Sequence, residues 1–165
     1  NYQIMNNKEK VKELIENARI GMFVTQNQEQ LFSRPIAVSQ VDDNYNLWFF
    51  TDISSDKIDE IIKENQVNFS FSNPSDNEYV SISGKAYLVK DQEKIDELCN
   101  VFAKAWFPEG RESEDLVLIK VAPESAQFWD GASSKIVQLF KIAKAVAKGE
   151  RYESTSDAEN KVVIF

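Results

Sequence analysis

The sequence predicts a mainly β protein with flanking helices, folded as one antiparallel barrel, and two observations favour this class. The 165 residues suit a single domain with a sizeable core. Apolar segments are short and separated by turn signals, and helical periodicity is confined to the ends and corners of the pattern. A doubly wound sheet would need regular alternation of strands and helices. We therefore expect one domain over residues 1–149 and a tail over residues 150–165.

Helices are predicted where apolar residues recur at three- and four-residue spacing. The first covers about residues 7–19, with Val11, Leu14 and Ile15 on one face and Gly21 as its stop signal. Three further helices are predicted, from Ser55 to about Asn65, from Asp91 through Trp106, and over about residues 134–148.

Strands are predicted for seven short segments rich in β-branched and aromatic residues and bounded by turn residues. They are Gly21–Gln26, Leu31–Val41, Leu47–Thr51, Val67–Ser72, Tyr79–Val89, Leu116–Val121 and Ala126–Trp129. The tail is polar through Asn160 and ends in a short apolar segment, residues 162–165. Strands joined mainly by turns favour an antiparallel barrel.

The composition restricts the chemistry that the side chains can perform. The sequence contains no histidine and one cysteine. These counts exclude histidine-based nucleophile systems, histidine-ligated metals and an internal disulfide, so we expect no metal site. A reaction would need carboxylates, lysine, tyrosine or a bound cofactor.

The net charge of −8 argues against nucleic acid as a partner, because that mode of binding needs a broad basic surface. No apolar run is long enough for a membrane span, and the first residues do not resemble a signal peptide. We therefore expect a cytoplasmic protein without nucleic-acid or membrane partners. A phosphorylated ligand would need a local positive site within this acidic surface.

One segment has the features of such a local site. The strand ending at Thr51 is followed by Ser54 and Ser55 at a helix start, and by Lys57 in the first helical turn. N–H groups, the positive end of the helix dipole and a cation would there converge on one anion. An ordinary serine cap with an exposed lysine is the alternative.

Two other positions are candidates for ligand contacts. Arg34 precedes Pro35 inside a predicted strand, and a proline there is typical of an edge strand or a bulge. At such a position the Arg34 guanidinium could bind a phosphate with two N–H groups. A solvent-facing arginine on an edge strand is the alternative. Trp129, close to Gly131, could contact one side of a planar ligand with its ring, or it could pack in the core.

Four motifs in order carry a family resemblance over about residues 8–149. They are Ser33-Arg34-Pro35-Ile36, Trp48-Phe49-Phe50-Thr51-Asp52-Ile53-Ser54-Ser55-Asp56-Lys57, Gly84-Lys85-Ala86 and Phe128-Trp129-Asp130-Gly131. Together they resemble the general stress protein 26 family, among the pyridoxamine 5′-phosphate oxidase-like FMN-binding split barrels. The resemblance implies a six-stranded antiparallel split β-barrel that forms a homodimer, with FMN at each end of the dimer interface.

The resemblance also implies roles for nine residues. Arg34, Ser55 and Lys57 would hold the FMN phosphate, with Thr51 nearby. Ser33, Pro35, Ile36 and Phe50 would border the flavin ring or the ribityl chain. Trp129 would approach the flavin from the partner subunit.

Departures from the oxidase pattern argue against oxidation of vitamin B6. The R-x-H-x-R run of the oxidase falls on residues 135–139, where Lys135 keeps a positive charge but Val137 replaces the substrate-contacting histidine and Leu139 the last arginine. Asp56 is acidic where the oxidase is basic. The resemblance still implies FMN binding.

Two hypotheses of function follow from the resemblance. In the first, the protein is an FMN-dependent oxidoreductase that passes electrons between a reduced nicotinamide, NAD(P)H or another small redox partner, and a small acceptor. In the second, it is a non-catalytic flavin-binding stress protein that sequesters FMN or senses its redox state. No catalytic side chain is assigned in either.

Overall fold

The computed structural model describes residues 2–99, 114–130, 149 and 160–165. This part of the chain contains three helices and eight strands. In order they are α1 (Tyr2–Ala18), β1 (Ile20–Asn27), β2 (Gln30–Ala37), β3 (Gln40–Val41), β4 (Leu47–Asp52), α2 (Asp56–Lys63), β5 (Gln66–Asn73), β6 (Glu78–Val89), α3 (Gln92–Leu98), β7 (Leu116–Trp129) and β8 (Asn160–Ile164). The helix predicted over 134–148 and the oxidase-like run at 135–139 lie outside the described residues.

The strands form one antiparallel sheet in the order β2-β1-β5-β6-β7-β4-β3, which confirms the predicted mainly β class. β7 pairs with β4 through Leu116–Val121, and with β8 through Ser125–Trp129. The strands at the two ends of the order, β2 and β3, follow each other in the chain with only Val38 and Ser39 between them. The open sheet therefore curves until its two ends lie close together, as in a split barrel.

The strand boundaries differ from the prediction at two places. Leu31–Val41 is divided into β2 and β3, because Val38 and Ser39 leave β2 and bond to Arg19 and Trp48 instead. This division and β8 each add one strand, and the joining of two predicted strands described next removes one, so the described residues form eight strands where the pattern predicted seven and the resemblance implied six.

The second difference is that 116–121 and 126–129 form one strand, β7. Ser83 pairs with Ser125 but Gly84 pairs with Pro123, so Glu124 is an extra residue in a β-bulge. The bulge accommodates the proline, which has no N–H to donate, and the strand continues past it. A Cβ on Gly84 would lie 2.2 Å from the Ala122 carbonyl oxygen, so the close approach of the two strands requires glycine.

The C-terminal strand β8 belongs to the same sheet. Val163 is 3% exposed within the main core, and the backbone N–H of Phe165 donates to the Glu124 carbonyl. The boundary predicted at residue 149 therefore leaves a core strand inside the predicted tail.

Two helix ends also differ from the prediction. α1 begins at Tyr2 and stops because Arg19 adopts a left-handed φ of 61°. Gly21 is not the stop signal, since it lies within β1, where a Cβ would meet the Phe71 ring at 2.7 Å. α3 ends at Leu98, short of the predicted end at Trp106, and residues 100–113 are outside the described part. Of the helices that the structure describes, none has the length and hydropathy needed to cross a bilayer.

The core holds the functional corner of the molecule in place. Phe23, Phe49 and Phe69 are fully buried, and their rings meet edge to face at centroid distances of 5.1, 5.2 and 5.8 Å. α2 packs on this core through Ile58 and Ile61. This packing sets the first turn of α2 beside the inward face of β2.

Candidate anion-binding site

The turn from β4 into α2 places two hydroxyls at the start of the helix. The Asp52 carboxylate accepts a hydrogen bond from the Ser54 backbone N–H at 2.7 Å and another from the Ser54 hydroxyl, which fixes the turn. Ser55 occupies the N-cap position, but its side chain makes no capping hydrogen bond. Its Oγ lies 3.2 Å from the Thr51 Oγ1 instead. The first N–H groups of α2 are therefore not capped by Ser55 and can serve an anion.

Lys57 reaches back from the first turn of α2 to the end of β4. Its Nζ donates to the Thr51 Oγ1 at 2.7 Å, and Thr51 is 5% exposed. Burial lowers the pKa of Lys57, and the positive charge of Arg34 lowers it further; nearby carboxylates act in the opposite direction. The fold thus brings two cations together at a partly buried point, and a bound anion would relieve both effects.

Arg34 extends from β2 toward β1 and α2. Its Nη1 donates to the Thr25 Oγ1 at 2.7 Å, and its Nη2 donates to the Glu60 Oε2 at 2.8 Å. The Thr25 hydroxyl donates to the same Glu60 oxygen. β2 is an edge strand, as the neighbouring Pro35 indicated, but Arg34 is turned inward, with 23% of its side chain exposed.

A groove of about 620 Å³ collects these groups. Arg34 and Lys57 line it together with Ser54 and Ser55. Lys63 adds a further cation, and Asp56, Asp59 and Glu60 add carboxylates. The groove can hold an anion by charge-assisted hydrogen bonds from a guanidinium and an ammonium group.

Other predicted site residues lie on different surfaces of the same strands. Ile36 faces inward beside Arg34 and packs on the core. Ser33 and Pro35 alternate with them and are exposed on the outer face of the sheet. Phe50 lies on the opposite face of β4 from Thr51 and packs against the small cluster formed by Trp48, Ile95, Leu98, Leu116 and Leu118.

Trp129 ends β7 on the outer face of the sheet, opposite Tyr79 of β6. Arg34, by contrast, is turned inward on β2. Within one copy of the chain, Trp129 therefore lies on the opposite face of the sheet from Arg34.

Thr25 and Glu60 are the site residues that were not predicted from sequence. Glu60 stands between Ile58 and Ile61 on α2 and is 5% exposed, and Thr25 is 1% exposed. A carboxylate among apolar helix residues signals a buried partner, since an unpaired buried charge is costly. That signal points to Glu60 but cannot identify Arg34, which is 26 residues away in sequence.

Comparison with known sequences matches most of the chain to one family model. The model is described as pyridoxamine 5′-phosphate oxidase like and matches residues 6–153. Protein bli-3 of Neurospora crassa is 24% identical in an alignment of 143 residues that covers 80% of this chain and 68% of that protein.

Solved structures share the fold over three quarters of the chain or more. A general stress protein 26 of Jannaschia sp. CCS1 has a TM-score of 0.77 and 25% identity, covering 98% of this chain and 99% of that one. A general stress FMN/FAD binding protein of Xanthomonas citri has a TM-score of 0.67 and 26% identity, covering 77% of this chain and 89% of that one. The predicted split-barrel fold is thus confirmed.

Proposed function

We propose, from the premise that this chain belongs to the pyridoxamine 5′-phosphate oxidase-like family, that it is a homodimeric FMN-binding flavoprotein. The observation that carries the proposal is the convergence of Arg34 and Lys57 on one groove, beside Thr51 and Ser55. The general stress FMN/FAD binding protein of Xanthomonas citri supports a flavin as the ligand class.

The chemistry of the groove fits the phosphate end of FMN. A phosphate offers several strong acceptor oxygens, and the groove offers guanidinium and ammonium donors, the Ser55 hydroxyl and the first N–H groups of α2. The lowered pKa of Lys57 supports the same conclusion, because a nearby dianion would offset the repulsion from Arg34. Uncharged riboflavin would leave these donors unused.

The outer face of the sheet supports a second copy of the chain as the partner. Its exposed large apolar side chains include Ile20 (59%), Met22 (43%) and Leu31 (67%) on β1 and β2, Tyr79 (41%) and Tyr87 (43%) on β6, and Val162 (58%) and Ile164 (66%) on β8. Exposed apolar side chains that share one face of a sheet favour association. In a homodimer, Trp129 of one copy can approach a flavin that lies along Ser33 and Pro35 of the other. Ile36 and Phe50 are the predicted contacts that the geometry does not favour, because both pack on apolar clusters.

The first measurement is the absorption spectrum of the protein as isolated. The test is then the affinity for FMN compared with the affinity for riboflavin, both measured by flavin fluorescence. Arg34→Ala and Lys57→Ala should each weaken FMN binding by about ten- to a hundredfold, because each removes a charge-assisted hydrogen bond. Riboflavin binding should change little. Lys10→Ala, which removes a cation on α1, is the matched control and should leave both affinities unchanged.

Equal weakening of FMN and riboflavin by Arg34→Ala and Lys57→Ala would place the phosphate elsewhere. Purified protein that has no flavin spectrum and does not quench the fluorescence of added FMN would contradict flavin binding altogether.

The proposed activity is electron transfer from NAD(P)H to a small acceptor in a reducing cytoplasm. Bound flavin would supply the redox chemistry, and this chain would bind and orient it. NAD(P)H consumption should then exceed that of an equal concentration of free FMN. A rate equal to that of free FMN would favour the non-catalytic alternative, flavin sequestration or sensing.

Hydrogen peroxide formed from pyridoxamine phosphate would identify the vitamin B6 oxidase, which Val137 and Leu139 argue against.

A further inference from the structure

We infer that Thr25 and Glu60 are positioning residues that fix the Arg34 guanidinium for a phosphate, an inference that rests on the proposed function. Neither residue belongs to the contact set that the family resemblance implied. Both act through Arg34.

The three side chains form a closed set of hydrogen bonds. Arg34 donates from Nη1 to Thr25 and from Nη2 to Glu60, and the Thr25 hydroxyl donates to the same carboxylate oxygen. Each of the three side chains comes from a different element, β1, β2 or α2. Because Thr25 is 1% exposed and Glu60 is 5% exposed, water competes little for these bonds.

The hydrogen bonds from Arg34 to Thr25 and Glu60 orient the guanidinium but add no positive charge to the groove. A guanidinium is planar and has five N–H donors, so two bonds to fixed acceptors set its plane and leave other donors for a ligand in the groove. An arginine that is already ordered loses less side-chain entropy when it binds. The charge of Glu60 by itself disfavours an anion, so the benefit of placing it here comes from holding Arg34.

Thr25→Val tests the inference without changing any charge. The valine keeps the side-chain shape but removes the hydroxyl that joins Arg34 to Glu60. We expect FMN affinity to fall about three- to tenfold while riboflavin affinity stays the same. Thr25→Ser restores the hydroxyl and should restore the wild-type ratio of the two affinities.

A double variant separates positioning from a general structural effect. In the Arg34→Ala background, Thr25→Val should produce no further change in the FMN to riboflavin ratio, because the residue through which it acts is absent. Tyr45→Phe is the matched control, since it also removes a hydroxyl that donates to a glutamate, Glu9, on another part of the protein. It should leave the ratio unchanged.

Glu60→Asp provides a second variant if Thr25→Val does not fold. It keeps the negative charge but withdraws the carboxylate from Arg34 by one methylene, and it should lower the ratio in the same direction. The inference is overturned if these variants weaken FMN and riboflavin equally, leave the ratio unchanged, or act undiminished in the Arg34→Ala background. If Arg34→Ala itself leaves the ratio unchanged, the proposed phosphate site fails and the inference fails with it.

Discussion

Lys57 shows how the surroundings of one residue prepare it for an anion. Its ammonium group is partly withdrawn from water and lies near the Arg34 guanidinium, and both effects lower its pKa. Asp52, Glu60 and Asp56 compensate in part. A phosphate dianion beside Lys57 would raise this pKa again, so binding and protonation of Lys57 favour each other.

This coupling predicts a pH dependence of FMN binding. Above the lowered pKa that Lys57 has in the protein without FMN, Lys57 must take up a proton when FMN binds. FMN affinity therefore falls as the pH rises through that pKa. Lys57→Arg should remove this fall, because a guanidinium stays protonated throughout the range. Titrations of both proteins between neutral and alkaline pH measure the effect.

Riboflavin is the control for that measurement, since it shares the flavin ring but lacks the phosphate. Its affinity should show no fall that depends on Lys57. An identical alkaline fall for FMN in wild-type protein and in Lys57→Arg would mean that another group titrates.

At the scale of elements, β8 stabilises the sheet by covering the half of β7 that β4 leaves unpaired. Residues 160–164 pair with 125–129, and Val163 adds its side chain to the main core. An exposed strand edge would otherwise present unpaired N–H and C=O groups. The strand therefore contributes hydrogen bonds and apolar burial together.

Substitution of Val163 measures this contribution. Val163→Ala should lower the free energy of unfolding by about 1–3 kcal/mol, because a nearly buried side chain is truncated. Ile62→Ala, which truncates a side chain that is 70% exposed on α2, should change it by less than about 0.5 kcal/mol. Chemical denaturation of both variants checks the comparison, and similar values would contradict a core role for β8.

At the scale of the whole molecule, the two faces of the sheet have different tasks. The inner face holds the phenylalanine core and the groove, whereas the outer face carries exposed apolar side chains and the half-buried Trp129. Because Trp129 and Arg34 lie on opposite faces of the sheet in the same copy, the proposed contact of Trp129 with a flavin is expected from a second copy.

Charge placed on the outer face should prevent that association. Met22→Glu and Val162→Glu should shift the protein from dimer to monomer in analytical ultracentrifugation, because a carboxylate would be buried in an apolar contact. Ile62→Glu adds the same charge on α2 and should leave the mass unchanged. A wild-type protein that is monomeric at all concentrations would refute the dimer.

Several parts of the fold and the site could be predicted from residue patterns alone. Short apolar segments and turn residues predicted most of the strands. The order of the motifs that contain Arg34 and Lys57 indicated the family resemblance. The joining of 116–129 into one strand could not be predicted, because Pro123 is tolerated only through a bulge against Gly84. The role of Thr25 could not be predicted either. It follows Gly21 and Phe23 at two-residue spacing on the same face of β1, which is the pattern of any inward-facing strand residue.

The sequence by itself determined the mainly antiparallel fold, the family resemblance and the identity of the two cations, because these depend on residue type and local spacing. Tertiary structure decided which way each side chain faces and with what partner. It turned Arg34 inward to Thr25 and Glu60, freed Ser55 from capping, and placed Trp129 on the opposite face of the sheet from Arg34. The physical reason is that these relations join residues distant in sequence, and burial and hydrogen bonding select them only when the sheet curves and α2 packs on it.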